Sequence, residues 1–261
     1  MIKLNGVEIK PTMFPDGTSQ VWKIPKSSYT EYNDFFDEDV VKLENSIEWE
    51  FENEAELIHV AQLRDLLNSI SNQKVNVELN IPYLPYGRQD KEVSNDNTFA
   101  RRTFLGILYG LSFRRITTLD AHSSVKSWNM EDIFPEQEIN VAFDTVKPSL
   151  ICFPDEGAKK RYGVFFGKFP NCSFKKDRDQ STGYINNLFL NELISIDGED
   201  VLIVDDICDG GMTFKLTAEK LLLCGANSVS LYTTHGIYSK GIQTLKNSGI
   251  SRIFNRKGEV T

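Results

Sequence analysis

No stretch of the 261 residues approaches the roughly 20 consecutive apolar residues of a membrane-spanning helix, so no span is expected. The opening MIKLNGVEIKP lacks the apolar core of a secretory leader. Cysteine is sparse: Cys152, Cys172, Cys208 and Cys224 stand apart with no C-x-x-C pair. That spacing argues against zinc and disulfide roles and fits reduced thiols in a cytoplasmic protein. Positive charge is not in excess, since 29 basic residues face 37 acidic ones for a net charge of -8. A broad nucleic-acid or anionic-membrane surface is therefore not expected, although a local basic pocket for a small phosphorylated ligand is compatible. There is no G-x-x-x-x-G-K-[ST] segment, so ATP cannot be held by a Walker loop. Internal repeats and low-complexity segments are absent as well.

What remains is an ordinary globular composition, with 40% hydrophobic and 25% charged residues. Helical spacing of Leu57, Val60, Ala61, Leu66 and Leu67 predicts an amphipathic helix over 54–67. VNVELNIP alternates as a strand does, and 99–111 reads as a second helix. RRITTLD, LICF, VLIVDD and SVSLYTT are further strand candidates. TFKLTAEKLLLCGA reads as a helix with Thr213 as its N-cap and Gly225 as its stop. Strands alternating with helices predict an α/β protein built on mainly parallel sheets. DTVKPS places a domain boundary between 1–144 and 145–261, with the last residues returning to the first domain.

Four of the strand candidates run into Asp or His followed by small residues: TTLDAH, CFPDEG, VDDICDGG and TTHG. Ligands of open α/β sheets sit beyond the carboxyl ends of the strands. One such Asp is most often a helix cap; four on one chain point to a site. The third carries the most chemistry. Gly210 and Gly211 let consecutive N–H groups turn inward, and the following helix start adds more, making a seat for phosphate. Asp205, Asp206 and Asp209 carry the wrong sign for a phosphate and suit sugar hydroxyls or a Mg²⁺ ion on them. A ribose bearing a 5-phosphate fits this polarity.

VLIVDDICDGGMTF resembles the loop that binds phosphoribosyl pyrophosphate (PRPP) in type I phosphoribosyltransferases and in PRPP synthetases. Further segments are similar to the synthetases in particular. NIPYLPYGRQDK resembles their Arg-Gln-Asp signature, here Arg88, Gln89 and Asp90. TTLDAHSSVKSW resembles the segment with their metal-binding His, which falls on His122. CFPDEGAKKRYG resembles the segment with their metal-linked Asp, which falls on Asp155. MFPDGTSQVW resembles the loop that contacts the adenine base across a subunit interface, placing Phe14 and Asp16 there. NCSFKKDRDQSTGYI reads as an exposed, mobile loop, and in the family a catalytic flexible loop stands here; its Lys and Arg match Lys176 and Arg178.

The resemblance implies two phosphoribosyltransferase-like domains, each a mainly parallel sheet flanked by helices. It implies transfer of the β,γ-diphosphoryl group of ATP to the anomeric hydroxyl of ribose 5-phosphate, giving PRPP and AMP. Lys176, Arg178 and His122 would be catalytic, His122 and Asp155 would serve Mg²⁺, and Phe14, Asp16, Arg88, Gln89 and Asp90 would hold ATP. Asp205, Asp206, Asp209, Gly210, Gly211, Met212 and Thr213 would hold the ribose phosphate. A homodimer or larger homo-oligomer follows from the interface loop, and neither nucleic acid nor membrane is a partner.

The chain departs from the family at Thr18, where an acid is usual, and at Glu92, where a Lys is usual. Only thirteen residues precede Phe14, where the family has a βα unit. DDICDGGMTF and TTHGIYSKG resemble a compact branch found in phages beside NAD-salvage enzymes, which would place the protein in a host cytoplasm. Relatives of that branch suggest ADP-ribose as another acceptor. A catalytically silent regulatory subunit and a phosphoribosyltransferase are the remaining alternatives.

Overall fold

The computed structural model describes residues 1–24, 28, 44–71, 76–92, 94, 96–125, 127–178 and 185–261. They form two compact units, Met1–Phe134 and Pro135–Thr261.

The first unit opens on the hairpin of β1 (Ile2–Leu4) and β2 (Val7–Ile9), followed by a separate hairpin of β3 (Thr12–Met13) and β4 (Ser19–Gln20). Then come β5 (Glu44–Trp49), α1 (Glu56–Ser71), β6 (Asn76–Asn80), α2 (Ala100–Gly110), β7 (Arg115–Leu119) and β8 (Met130–Ile133). The sheet runs β2-β1-β5-β6-β7-β8, parallel from β5 to β8 and antiparallel at the β1 edge. The expected helix over 54–67 is α1, whose Val60, Leu63 and Leu67 are fully buried at helical spacing. Strand β5 has no clear signal in the sequence. Its inward residues are Asn45, Ile47 and Trp49, so a polar side chain interrupts the apolar alternation. Asn5 meets the oxygen of that side chain, its Nδ2 donating to Asn45 Oδ1 at 2.8 Å.

Glu56 ties this unit together at the start of α1. Its carboxylate accepts from the Met1 amino group at 2.6 Å, from Trp49 Nε1 at 2.9 Å and from the Glu52 N–H at 2.8 Å. Burial alone pushes its pKa up, but these bonds outweigh burial and hold it below the ordinary glutamate value of 4.5. A carboxyl depressed on folding stabilises above its unfolded pKa, and that contribution is lost as pH falls through the folded value. Glu56→Gln is therefore expected to cost about 1–3 kcal/mol at pH 7, because Trp49 and Glu52 lose a charged acceptor. Denaturant titrations followed by tryptophan fluorescence should show this gap closing below about pH 4. A gap unchanged at low pH would contradict the assignment.

The second unit runs α3 (Glu136–Val146), β9 (Leu150–Phe153), α4 (Glu156–Phe166), β10 (Asn171–Arg178), β11 (Ile185–Leu190), β12 (Asp200–Cys208) and α5 (Met212–Leu223). It continues with β13 (Ser228–Gly236), α6 (Gln243–Lys246), β14 (Ile250–Asn255) and β15 (Gly258–Glu259). The sheet order is β11-β10-β9-β12-β13-β14-β15, parallel from β10 to β14 with an antiparallel strand at each edge. LICF and VLIV are continuous apolar runs because both faces are covered. Leu150, Cys152, Val201 and Ile203 pack into one layer, and Ile151, Phe153, Leu202 and Val204 into the other.

Helix α3 contributes Ile139 and Ala142 to that second layer, and Arg252 Nη1 donates to Thr145 O at 3.1 Å. The break between units thus precedes α3, rather than falling between 144 and 145. The last residues complete the second sheet: β15 pairs with β14, and Val260 N donates to Ile253 O at 2.8 Å. Among the described residues no helix is long and apolar enough to cross a membrane.

Candidate active site

Residues of the first unit gather at the carboxyl ends of β6 and β7, which are adjacent and parallel. The Thr118 hydroxyl and the Leu119 N–H both donate to Pro82 O, at 3.1 and 3.0 Å, joining the two exits. After β6 the chain turns through Gly87. A Cβ there would stand 3.3 Å from Leu84 O and 3.4 Å from His122 Cβ, so this turn lies directly against His122. Arg88, Gln89 and Asp90 follow, the first two exposed and Asp90 half-buried, with Gln89 N donating to Tyr86 O at 3.0 Å. His122 is exposed. The structure thus brings the Arg88–Gln89–Asp90 segment and His122 together. Arg101 of α2 supports this corner, donating to Ser123 O at 3.4 Å and to the Ser123 hydroxyl. Arg102 pairs with Glu92 at 3.6 Å, so the acid at this unusual position meets a cation on α2. Neither arginine stands out in the sequence, where both read as helix-surface charge.

Phe14 and Asp16 lie in the turn between β3 and β4. Phe14 N donates to Thr18 O at 2.9 Å, and Gly17 N to Phe14 O at 3.0 Å. Asp16 Oδ1 accepts from the Thr18 hydroxyl at 2.7 Å and from the Thr18 N–H at 2.9 Å. These two bonds hold the Asp16 carboxyl below its ordinary range. Thr18 therefore does here what a second acid could not: it fixes the aspartate. The Phe14 ring lies 6.4 Å from that of Trp22, and a groove of about 400 Å³ is lined by this hairpin together with Gln62, Asp65 and Ser69 of α1.

In the second unit β9, β12 and β13 are neighbouring parallel strands, so their carboxyl ends share one edge. Asp155 follows β9 and caps α4, its Oδ1 accepting from Ala158 N at 3.0 Å. The residue expected beside a metal thus has at least one oxygen committed to a helix start. Strand β12 runs two residues beyond VLIVDD, through Ile207 and Cys208, so Asp205 and Asp206 lie inside it and only Asp209 emerges into the turn. Asp205 Oδ1 accepts from Asp206 N at 3.0 Å, and Asp206 Oδ1 from Ile207 N at 2.9 Å. Asp206 is buried and Asp205 half-buried.

The helix cap is Gly211 and not Thr213. Gly211 has φ 76°, and a Cβ on it would stand 2.9 Å from Leu245 Cδ2. Only glycine meets both demands at that corner. Helix α5 then starts at Met212, leaving Thr213 in its first turn, where N–H groups lack intrahelical acceptors. At the other end Gly225 N donates to Leu222 O at 3.0 Å at φ 93°, the stop expected.

The segment expected as a mobile loop is a strand through Arg178, paired antiparallel with β11. Cys172 and Phe174 anchor it in the core, an alternation too short to outweigh the charges that follow. The side chains of Lys176 and Arg178, and residues 179–184, lie outside the described residues. The root of this hairpin is clamped by Glu192, which accepts from Ser173 N at 2.6 Å, from the Ser173 hydroxyl at 2.9 Å and from Lys159 of α4. Burial raises the Glu192 pKa, but these donors outweigh it and hold the group below its ordinary range.

Among the described residues no group of three or more His, Cys, Asp and Glu is gathered as a metal cage.

Both the strand-end geometry and comparison with known proteins define a phosphoribosyltransferase-type α/β protein. The family model "Phosphoribosyl transferase domain" matches residues 172–258. Over 76% of its length the chain also superposes on the crystal structure of a phosphoribosylpyrophosphate synthetase from Mycobacterium smegmatis, with TM-score 0.63, 21% identity and 66% of that chain covered. The chain is 29% identical over 197 residues to a ribose-phosphate pyrophosphokinase of Pyrococcus furiosus, covering 71% of this chain and 67% of that protein. It is 28% identical over 247 residues to one of Pyrococcus abyssi, covering 91% and 79%. The chain is thus similar to ribose-phosphate pyrophosphokinases over most of its length.

Proposed function

We propose that the protein transfers the β,γ-diphosphoryl group of ATP to the anomeric hydroxyl of ribose 5-phosphate, releasing AMP and PRPP. The observation that carries this reading is the contact of the Gly87–Asp90 turn with His122 at the β6 and β7 exits. A phosphoribosyltransferase, which spends PRPP, needs no ATP site beside its Asp205–Thr213-type loop; a synthetase does. In the step itself, the anomeric oxygen attacks the β-phosphorus and its proton is lost. The bond from that phosphorus to the α,β-bridging oxygen breaks, and AMP leaves with the electron pair. Mg²⁺ bound with ATP would neutralise charge on the phosphates; by resemblance to the synthetases, His122 of the first unit and Asp155 of the second would each serve it.

Arg88 and Gln89 orient the triphosphate, with Asp90 completing the turn. Asp205 and Asp206 accept from the ribose hydroxyls, and the N–H groups of residues 210–213 receive the 5-phosphate. Lys176 and Arg178 act on the transferring group, where fixed cations stabilise the charge of the transition state. Phe14 and Asp16 meet the adenine of a second copy, which makes the working unit a homodimer or larger.

ADP-ribose is the second acceptor reading. Asp209 and Met212 at the mouth of the loop are exposed, which leaves room for a group attached beyond the phosphate. Incubation with ATP, Mg²⁺ and each sugar in turn, followed by phosphorus NMR, tests both readings. AMP and a diphosphorylated anomeric carbon are expected with ribose 5-phosphate at the lower KM. AMP with neither sugar would overturn the proposal and favour a silent regulatory subunit.

A further inference from the structure

We infer that Lys240, on the segment after β13, is a cationic ligand of the acceptor's phosphate. This rests on the phosphate-seat reading of the 209–213 loop. A Cβ on Gly210 would lie 3.6 Å from Lys240 Cε and 3.7 Å from Lys240 Cδ, so the lysine stem lies across the glycine of the seat. The lysine is exposed and therefore at the mouth of the loop.

Its position is set by the backbone. Ile237 N and Tyr238 N both donate to Cys208 O, at 2.8 and 3.2 Å, binding this segment to the last residue of β12. Tyr238 adopts φ 51°, and its ring packs so closely on Gly236 that a Cβ there would stand 2.2 Å from ring atoms. Gly241 N donates to Tyr238 O at 2.8 Å, and the Thr244 hydroxyl to Lys240 O at 3.0 Å, closing the turn around the lysine. With the backbone already fixed, only the lysine rotamers remain to be ordered when the side chain meets a ligand.

The charge balance gives the lysine its purpose. Asp205, Asp206 and Asp209 crowd three carboxylates into five residues beside the place where a phosphate dianion would sit. Backbone N–H groups carry only partial charge. Lys215, the nearest cation along the chain, lies on α5 and faces Glu219 at 3.9 Å. Lys240 supplies a full positive charge at the seat from the neighbouring strand exit. No residue of the family's loop motif predicts this, because the lysine is 30 residues downstream of Gly210 and reads alone as a solvated charge.

The test compares wild type, Lys240→Ala and Lys240→Arg, by calorimetric titration with ribose 5-phosphate without ATP and by steady-state kinetics. Loss of one charge-assisted contact predicts a Kd and an acceptor KM raised about tenfold in Lys240→Ala. KM for ATP should move less than about twofold, and Lys240→Arg should recover most of the loss. Equal Kd values for wild type and Lys240→Ala would overturn the inference, as would failure of the wild type to bind ribose 5-phosphate. Lysine-dependent binding without AMP formation would instead overturn the proposed reaction and leave this inference standing.

Discussion

Lys176→Ala is expected to lower kcat by roughly 10²–10³-fold while KM for ATP and for the acceptor changes less than about threefold. An interaction made only with the transferring diphosphoryl group would be lost from the transition state and not from the ground state, which is the signature of unequal effects on kcat and KM. The backbone of Lys176 lies in β10, opposite Leu188 of β11. The Glu192 clamp on Ser173 and Lys159 holds that hairpin at its root, so the charge is carried on a braced strand. Lys175→Ala serves as the control, since it removes an exposed neighbour of the same charge and should leave kcat within about twofold. A normal kcat in Lys176→Ala, or equal losses in the two variants, would remove Lys176 from the chemistry.

The second large effect is expected at the two acids of β12. Asp205→Asn and Asp206→Asn should each raise the acceptor KM by roughly tenfold to a hundredfold, because hydrogen bonds from sugar hydroxyls to a charged acceptor contribute about 1.5–3 kcal/mol each. The ATP KM should stay close to that of the wild type. Both side chains also accept from the next backbone N–H, at 3.0 and 2.9 Å, and an amide oxygen keeps that bond. Thermal unfolding should accordingly shift little for Asp205→Asn, which is only half-buried. Unchanged acceptor kinetics in both variants would mean that these acids do not receive the ribose diol.

Much of the fold around the candidate site could be read from the sequence because its parts are short and local. LICF and VLIV are short, wholly apolar and bounded by polar or turn-forming residues, the pattern of a parallel strand covered on both faces. Asp155 shows the opposite case: one aspartate after a strand serves equally as a cap or near a metal, and the structure displays the cap. Thr213 has the residue type of an N-cap, but Gly211 holds the αL corner against Leu245, a contact 34 residues away in sequence. Strand β5 is masked by an inward asparagine, and β10 by charges beyond a two-residue apolar anchor. Lys240 belongs to the same class: its meaning depends on which strands are neighbours, and residue type carries none of that.

The reaction itself is tested most directly by the fate of one oxygen. ATP labelled with ¹⁸O in the α,β-bridge is incubated with the protein, Mg²⁺ and ribose 5-phosphate, and the products are separated and weighed by mass spectrometry. Attack on the β-phosphorus predicts that AMP carries the label, forms only when the sugar is present, and matches the diphosphorylated sugar mole for mole. Label recovered in released pyrophosphate, or ADP in place of AMP, would contradict diphosphoryl transfer.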